Sequence, residues 1–253
     1  MNESLYETGI RPIIDEHLTI KAQERRDYGE YWSASSAGYC MRKVIFDRLQ
    51  VPYVKIDPRK QRVFTSGDIF HKWIQELTKE AGISVEQEIE IKDEQLKVKG
   101  HIDDLIQLVK TKKDYILYDY KTQNSRAFSY SKMGMNPFHR MQLGTYLYII
   151  NTNTKYKVNA GRILKISKDD LRLAEEELIY EKALVDDVKF YWETINELWT
   201  KKEIPPCQCA DLGDGFMADE KYNDYYYNGK PCSIEWYKLY KENAKDTKKT
   251  SSK

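Results

Sequence analysis

Apolar positions recur three and four residues apart over Leu5–Arg26, Asp68–Ala81 and Phe138–Ile150, so each segment is predicted to be a helix with one packed face. Ile69, Trp73, Ile74 and Leu77 supply that face in the second, and Leu143, Leu147 and Ile150 in the third. Another helix is expected to start near Ala37, after the small-residue run Ser33-Ala-Ser-Ser-Ala-Gly38, and to carry Cys40, Arg42, Lys43, Ile45 and Phe46. At Gly82 the period changes to two. Ile83–Val85 with Ile89–Ile91, then Leu96–Val109, then Tyr115–Tyr120, read as three strands joined by short polar gaps, an antiparallel meander. Gly161–Ile166 is expected to be a fourth strand. Ser167-Lys-Asp-Asp170 has capping-box spacing and predicts one or two long helices reaching Lys202, with Pro205-Pro206 as the stop. Cys207–Cys232 shows little regularity, and the polar end from Lys241 is expected to fray.

This order predicts a single α/β domain over residues 1–240: a mixed central sheet, the meander plus a further strand, flanked by helices, followed by a disordered tail at 241–253. With 253 residues, 41% of them hydrophobic, the chain can build a full core, which excludes global disorder. No run approaches the ~18 apolar residues of a membrane span, and the N-terminus lacks the apolar stretch of a signal peptide. A cytoplasmic protein with no membrane partner is expected. The net charge of +1 conceals an asymmetry. Between Tyr120 and Lys168 there is no Asp or Glu, but there are nine Lys or Arg. An acid-free basic stretch in a neutral chain predicts a surface for an anion, most simply a nucleic acid.

Asp103 lies in Gly100-His-Ile-Asp103 on the second strand, and Asp119-Tyr-Lys121 ends the third. Neighbouring antiparallel strands can bring two carboxylates together, and residues two apart share a face. Hard carboxylate oxygens suit Mg²⁺ or Mn²⁺, and a lysine beside them could position water and neutralise a phosphate. Asp104 competes with Asp103 for this role. His101 and His139 are weaker candidates, His101 for a shared face with Asp103 and His139 for a DNA contact.

The wider series is more specific: Ser33-x-Ser35, Gly38-Tyr-Cys40-x-Arg42, Gly67-Asp-Ile-Phe-His71, Gly100-x-x-Asp103, Asp119-Tyr-Lys121, Gln142-Leu-Gly-Thr-Tyr146 and closing cysteines. In this order the elements resemble the PD-(D/E)XK nuclease superfamily. They are most similar to its RecB-like branch, which includes the iron–sulfur exonucleases of phages and of CRISPR adaptation. The resemblance spans residues 33–232 and implies the superfamily's restriction-endonuclease-like core. By the resemblance, His71, Asp103 and Asp119 would hold Mg²⁺ or Mn²⁺ with the Tyr120 carbonyl nearby, and Lys121 would be the catalytic lysine. Gln142 and Tyr146 would face the site one turn apart. Arg42, Arg126, Lys132 and Arg140 are the expected DNA contacts. Phe128, Tyr130 and Phe138 interleave with the last three, a mixture suited to phosphates and stacked single-strand bases.

One cysteine early and three late is also the distribution of that iron–sulfur branch, and Cys40, Cys207, Cys209 and Cys232 use every cysteine in the chain. The resemblance implies a structural [4Fe-4S] cluster, with zinc as second choice. The spacing departs from the branch: C-x-C is followed by a 22-residue gap before Cys232. The expected activity is metal-dependent exonuclease action on DNA with a free end, single strands among the candidate substrates, beside a helicase, recombination or integrase partner. Two alternatives from other classes stand: a nucleic-acid-binding or CRISPR-adaptation-type trimming subunit with incidental cleavage, and a zinc-stabilised protein with no DNA role.

Overall fold

The computed structural model describes residues 9–24, 29–109, 114–130, 134–211, 218–219, 221 and 223–250. They gather in two compact units. One comprises Tyr28–Gly38 and Ser66–Glu203, the other Met1–Asp27, Tyr39–Thr65 and Ile204–Lys253.

The first unit contains an α/β sheet of six strands: β1 (Trp32–Ser33), β2 (Ser84–Asp93), β3 (Val98–Ile106), β4 (Tyr115–Gln123), β5 (Val158–Ser167) and β6 (Leu173–Ile179). The meander β2-β3-β4 is antiparallel, β5 runs parallel to β4, and β6 returns antiparallel to β5. The mixed sheet is as expected, with two strands more. β2 lines one edge of β3. On the other edge, β1 pairs with Val98 and Lys99, and β4 pairs with Asp104–Ile106. The stretch of β3 between them holds Gly100 and Asp103.

Helices cover both faces. α3 (Pro58–Glu80) lays Ile74 and Phe70 on Ile106, Tyr118, Tyr120 and Ile166, each such side chain contributing about 1.5–3 kcal/mol by leaving water. α3 starts ten residues before Asp68. Asp57 caps it, its carboxylate accepting the Arg59 N–H at 2.9 Å, with Pro58 in the first turn. Its packed face also differs from the expected one, since Ile69, Trp73 and Leu77 are exposed. The short helix α4 (Ser125–Tyr130) occupies what read as a loop. α5 (Pro137–Asn153) is capped by Asn136, whose side chain accepts the Phe138 N–H. It is nearly all buried from Leu143 to Ile150, lying between β5 and α6 (Lys182–Lys201). Gly144 permits that closeness, because a Cβ there would lie 2.7 Å from Leu184 Cδ1.

β6 replaces the start of the long helix predicted after Ser167. Residues 168–170 form a turn, Leu171 takes a left-handed φ of 60°, and the chain folds back. Charge pairing across the strands explains the choice. Arg162 of β5 pairs with Glu175 and Glu177, and Lys165 with Glu176. Acids from outside the acid-free stretch thus neutralise part of it. α6 ends at Lys202 in the left-handed region, as the stop at Pro205-Pro206 leads one to expect.

The second unit contains α1 (Ile10–Gln23), α2 (Met41–Arg48), the first turns of α3 and α7 (Ile234–Thr250). Phe46 stacks on Tyr237 and meets Tyr225 edge-on. Burial works against the charge of Lys43, but the carboxylates of Asp47 and Asp224 outweigh it and raise its pKa. α7 continues helical to Thr250, through residues expected to fray.

Replacing Gly144 with Ala should cost about 1–3 kcal/mol by forcing α5 and α6 apart. Thermal unfolding measures this, and an unchanged midpoint would refute the close approach.

Candidate active site

The sheet positions the candidate residues through its broken edge. Where the β3–β4 pairing ends, the Asp103 carboxylate takes the place of a ladder acceptor, and its Oδ2 receives the Tyr120 N–H at 2.7 Å. Asp119 and Lys121 alternate with Tyr120 and project to the α5 side, with Lys121 Nζ 2.7 Å from Asp119 Oδ2. His71 reaches in from α3. Its Nδ1 is 3.6 Å from Asp103 Oδ2, and its ring meets Tyr120 edge-on. From α5, Gln142 Nε2 donates to Asp119 Oδ1 at 3.3 Å and to the Tyr146 hydroxyl at 3.0 Å. The structure therefore brings His71, Asp103, Asp119, Lys121, Gln142 and Tyr146 together.

Gly100 has a steric reason in this arrangement. A Cβ there would lie 2.8 Å from both Ala34 Cβ and Tyr146 Cε1, so glycine lets the tyrosine ring lie against β3. Asp104 is resolved from Asp103 by its surroundings. It is fully buried and accepts hydrogen bonds from Thr78, Ser84, Gln87 and the Tyr120 hydroxyl. Its oxygens are committed to the fold.

The electrostatics of the site are strained. Burial, then the neighbouring Asp119 charge, push the Asp103 carboxyl well above the ordinary carboxylate range, and Lys121 only partly opposes them. Burial and the Lys121 charge lower the pKa of His71, favouring the neutral imidazole that a metal requires. Asp119 Oδ2 is buried and has no aligned hydrogen-bond donor among the described residues. Two hard carboxylates and a neutral imidazole form a donor set that fits a divalent cation.

The other expected contacts fall elsewhere. Arg42 donates to the carbonyls of Pro205 and Cys232, and so ties the cysteine segments to α2. Arg140 pairs with Asp187 at 3.1 Å. Arg126 is exposed on α4, and Lys132 lies outside the described residues. Phe128 and Phe138 are buried, Phe128 beneath the Arg172 guanidinium, so the fold takes up two of the three rings expected to stack on bases; the Tyr130 side chain lies outside the described residues. His101 is exposed beside Glu90, whereas His139 is largely buried and is held down to about 4 by burial and the nearby Lys121 charge.

In the second unit, the sulfurs of Cys40, Cys207, Cys209 and Cys232 all lie within 4.8 Å of one another. Such crowding prevents all four from ionising unaided. Hydrogen bonding, first with Cys207, drives the Cys40 thiol far down and the Cys232 thiol far up. A cation removes the conflict. Asn223 donates to the Cys209 and Cys232 sulfurs at 3.5 and 3.4 Å, and the Gln208 N–H to Cys40 at 3.4 Å. Sequence reasoning missed Asn223, which no motif marks. Cys232 also takes a left-handed φ of 45°, unusual for a side chain other than glycine or asparagine.

A family model of the PD-(D/E)XK nuclease superfamily matches residues 53–234, most of the chain. The chain belongs to the PD-(D/E)XK nuclease superfamily. Among solved structures, this PD-(D/E)XK chain is similar to SSO0001, at 18% identity and a TM-score of 0.50, covering 82% of this chain and 97% of that one. An alkaline exonuclease from Laribacter hongkongensis aligns at 13% identity and a TM-score of 0.46, covering 68% and 89%. A phage-related exonuclease from Haemophilus somnus 129PT aligns at 13% and 0.38, covering 55% and 71%. No curated protein matches this superfamily member in sequence. Among the described residues, no helix is long and apolar enough to cross a membrane.

Substituting Asp103 by Asn removes a carboxyl whose ionisation the fold opposes. In EDTA this should stabilise the protein by about 1 kcal/mol near neutral pH, the order of one pKa unit. The wild type should lose stability as pH rises from the ordinary carboxylate pKa to the raised one, and the variant should not, because ionisation costs more in the folded state. Melting curves across pH test both, and a less stable variant would contradict the account.

Proposed function

We propose that the protein is a metal-dependent DNA exonuclease of the RecB-like branch, with Mg²⁺ or Mn²⁺ at Asp103, Asp119 and His71. The observation that carries the reading is the gathering of two carboxylates, an imidazole and a lysine in one largely buried place, with His71 3.6 Å from Asp103 and Lys121 2.7 Å from Asp119. A divalent cation there supplies a water of lowered pKa and neutralises the phosphate. Asp103 and Asp119 would hold it, with the Tyr120 carbonyl next to Asp119 on β4. Gln142 holds Asp119 by one oxygen and is itself held by Tyr146, so the carboxylate keeps its orientation without rotation. The Lys121 ammonium stands where negative charge grows on the phosphoryl oxygens. DNA with a free end is the proposed substrate, and Arg126 and Lys132 are the proposed backbone contacts.

In the same proposal the four cysteines hold a structural metal centre. The family resemblance favours a [4Fe-4S] cluster, but the sulfur spacing favours a single zinc. Zinc–sulfur bonds of about 2.3 Å place tetrahedral sulfurs roughly 3.8 Å apart, whereas a cubane is larger and spreads its ligands. Cys209 and Cys232 are 3.4 Å apart.

Cleavage of end-labelled linear DNA and of a closed circle, with Mn²⁺ or EDTA, tests the activity. We expect Mn²⁺-dependent loss of the linear substrate alone and a fall of at least about 100-fold in Lys121→Ala, with DNA binding retained. Cutting of circles would make the protein an endonuclease, and no cleavage by anaerobically purified protein would overturn the reading. Iron, sulfide and zinc analysis of the same sample decides the cysteine centre: zinc without sulfide excludes the cluster.

A further inference from the structure

Beside the Asp119–Lys121 pair lies a second set of buried polar groups that the proposed chemistry does not use. Lys121 and Lys165 are register partners on the parallel strands β4 and β5, so the two ammonium-bearing side chains project to the same face. Lys165 is fully buried. Its Nζ lies 2.6 Å from Glu176 Oε1 on β6, and that carboxylate is mostly buried too. His139 on α5 feels the charges of Lys121, Asp119 and Lys165 together. Three further buried atoms here, Glu176 Oε2, His139 Nδ1 and Gln123 Oε1, have no hydrogen-bond partner among the described residues. Unsatisfied polar atoms are uncommon in folded proteins, so this face carries polarity that packing does not require.

Two lysines thus stand in register on one face, Lys121 on Asp119 Oδ2 at 2.7 Å and Lys165 on Glu176. A buried ammonium without a counter-ion seeks the nearest carboxylate, and Asp119 is the diagonal neighbour of Lys165 across β4 and β5, a separation that a lysine side chain can span. We propose that Glu176 is a positioning residue for the active site: it holds Lys165 in a buried ion pair and keeps a second ammonium off Asp119, so that a divalent cation at that carboxylate meets one competing charge, Lys121, and not two. The proposal rests on the reading of Asp119 as a metal-binding carboxylate. It explains why an edge strand carries an inward glutamate at a position where an apolar residue would pack better.

Charge alone then sets an order of affinity. With Glu176→Gln, Lys165 turns to Asp119 and competes with the cation. With Lys165→Met, a negative charge is added near the site. With both changes, the local charge returns to that of the wild type. Mn²⁺ binding to the full chain, read from the paramagnetic resonance of free Mn²⁺ and without DNA present, distinguishes these. We expect Glu176→Gln to bind about tenfold more weakly, Lys165→Met more tightly than wild type, and the double variant within about twofold of it. A Glu176→Gln affinity equal to wild type, or equal weakening in all three variants, would overturn the proposal. Should Glu176→Gln fail to fold, tighter binding by Lys165→Met than by the double variant supports it, and equal or weaker binding overturns it. Equal Mn²⁺ binding by Asp119→Asn and wild type would overturn the underlying reading of Asp119, and the proposal with it.

Discussion

Two carboxylates, Asp103 and Asp119, are held close together in a largely buried place, and the rest of the sheet unit can be understood as the means of doing so. Like charges repel strongly where water is scarce. The neighbouring ammonium of Lys121 meets one of them, and His71 is biased toward its neutral form. The conflict therefore appears as a raised Asp103 pKa, and a cation in place of the proton would relieve it. Each supporting element does something specific. β1 and β4 share one edge of β3 and leave a gap in which Asp103 is not consumed by the ladder. α5, seated between sheet and α6, delivers Gln142 to Asp119, and Gly100 gives Tyr146 its room. Asp104, one residue away, shows the contrast, since its four donors make it a structural acid.

The cysteine site follows the same logic with sulfur. Four thiols in mutual contact cannot all lose their protons unless a cation takes their place. The segments that carry them have little apolar periodicity. They are held by polar anchors instead: Arg42 on the Pro205 and Cys232 carbonyls, Asn223 on two sulfurs, and Asp224 on Lys43 and Lys60. Such a framework depends on specific contacts, and a metal centre at its middle would supply the cohesion that a small core lacks.

This division explains what could be read in the chain. The meander and α5 were legible because alternation and helical spacing report burial directly. The residues His71, Asp103, Asp119, Lys121, Gln142 and Tyr146 were legible by resemblance, and the structure gathers them. β6 was not, because Leu173–Ile179 has three consecutive glutamates whose partners, Arg162 and Lys165, lie on another strand. The start of α3 was signalled by Asp57-Pro58 and overlooked. Its buried face was misjudged because Ile69, Trp73 and Leu77 follow a helical period yet face outward. Asn223 and the buried Lys165–Glu176 pair leave no local trace, since only three-dimensional proximity gives them meaning.

The most direct measurement is anomalous diffraction at the manganese edge from crystals soaked in Mn²⁺. The account predicts a peak in contact with Asp103, Asp119 Oδ2 and His71, with Lys121 still beside Asp119. Crystals that show no peak there, or show manganese only among the cysteines while both carboxylates keep their present partners, would contradict it.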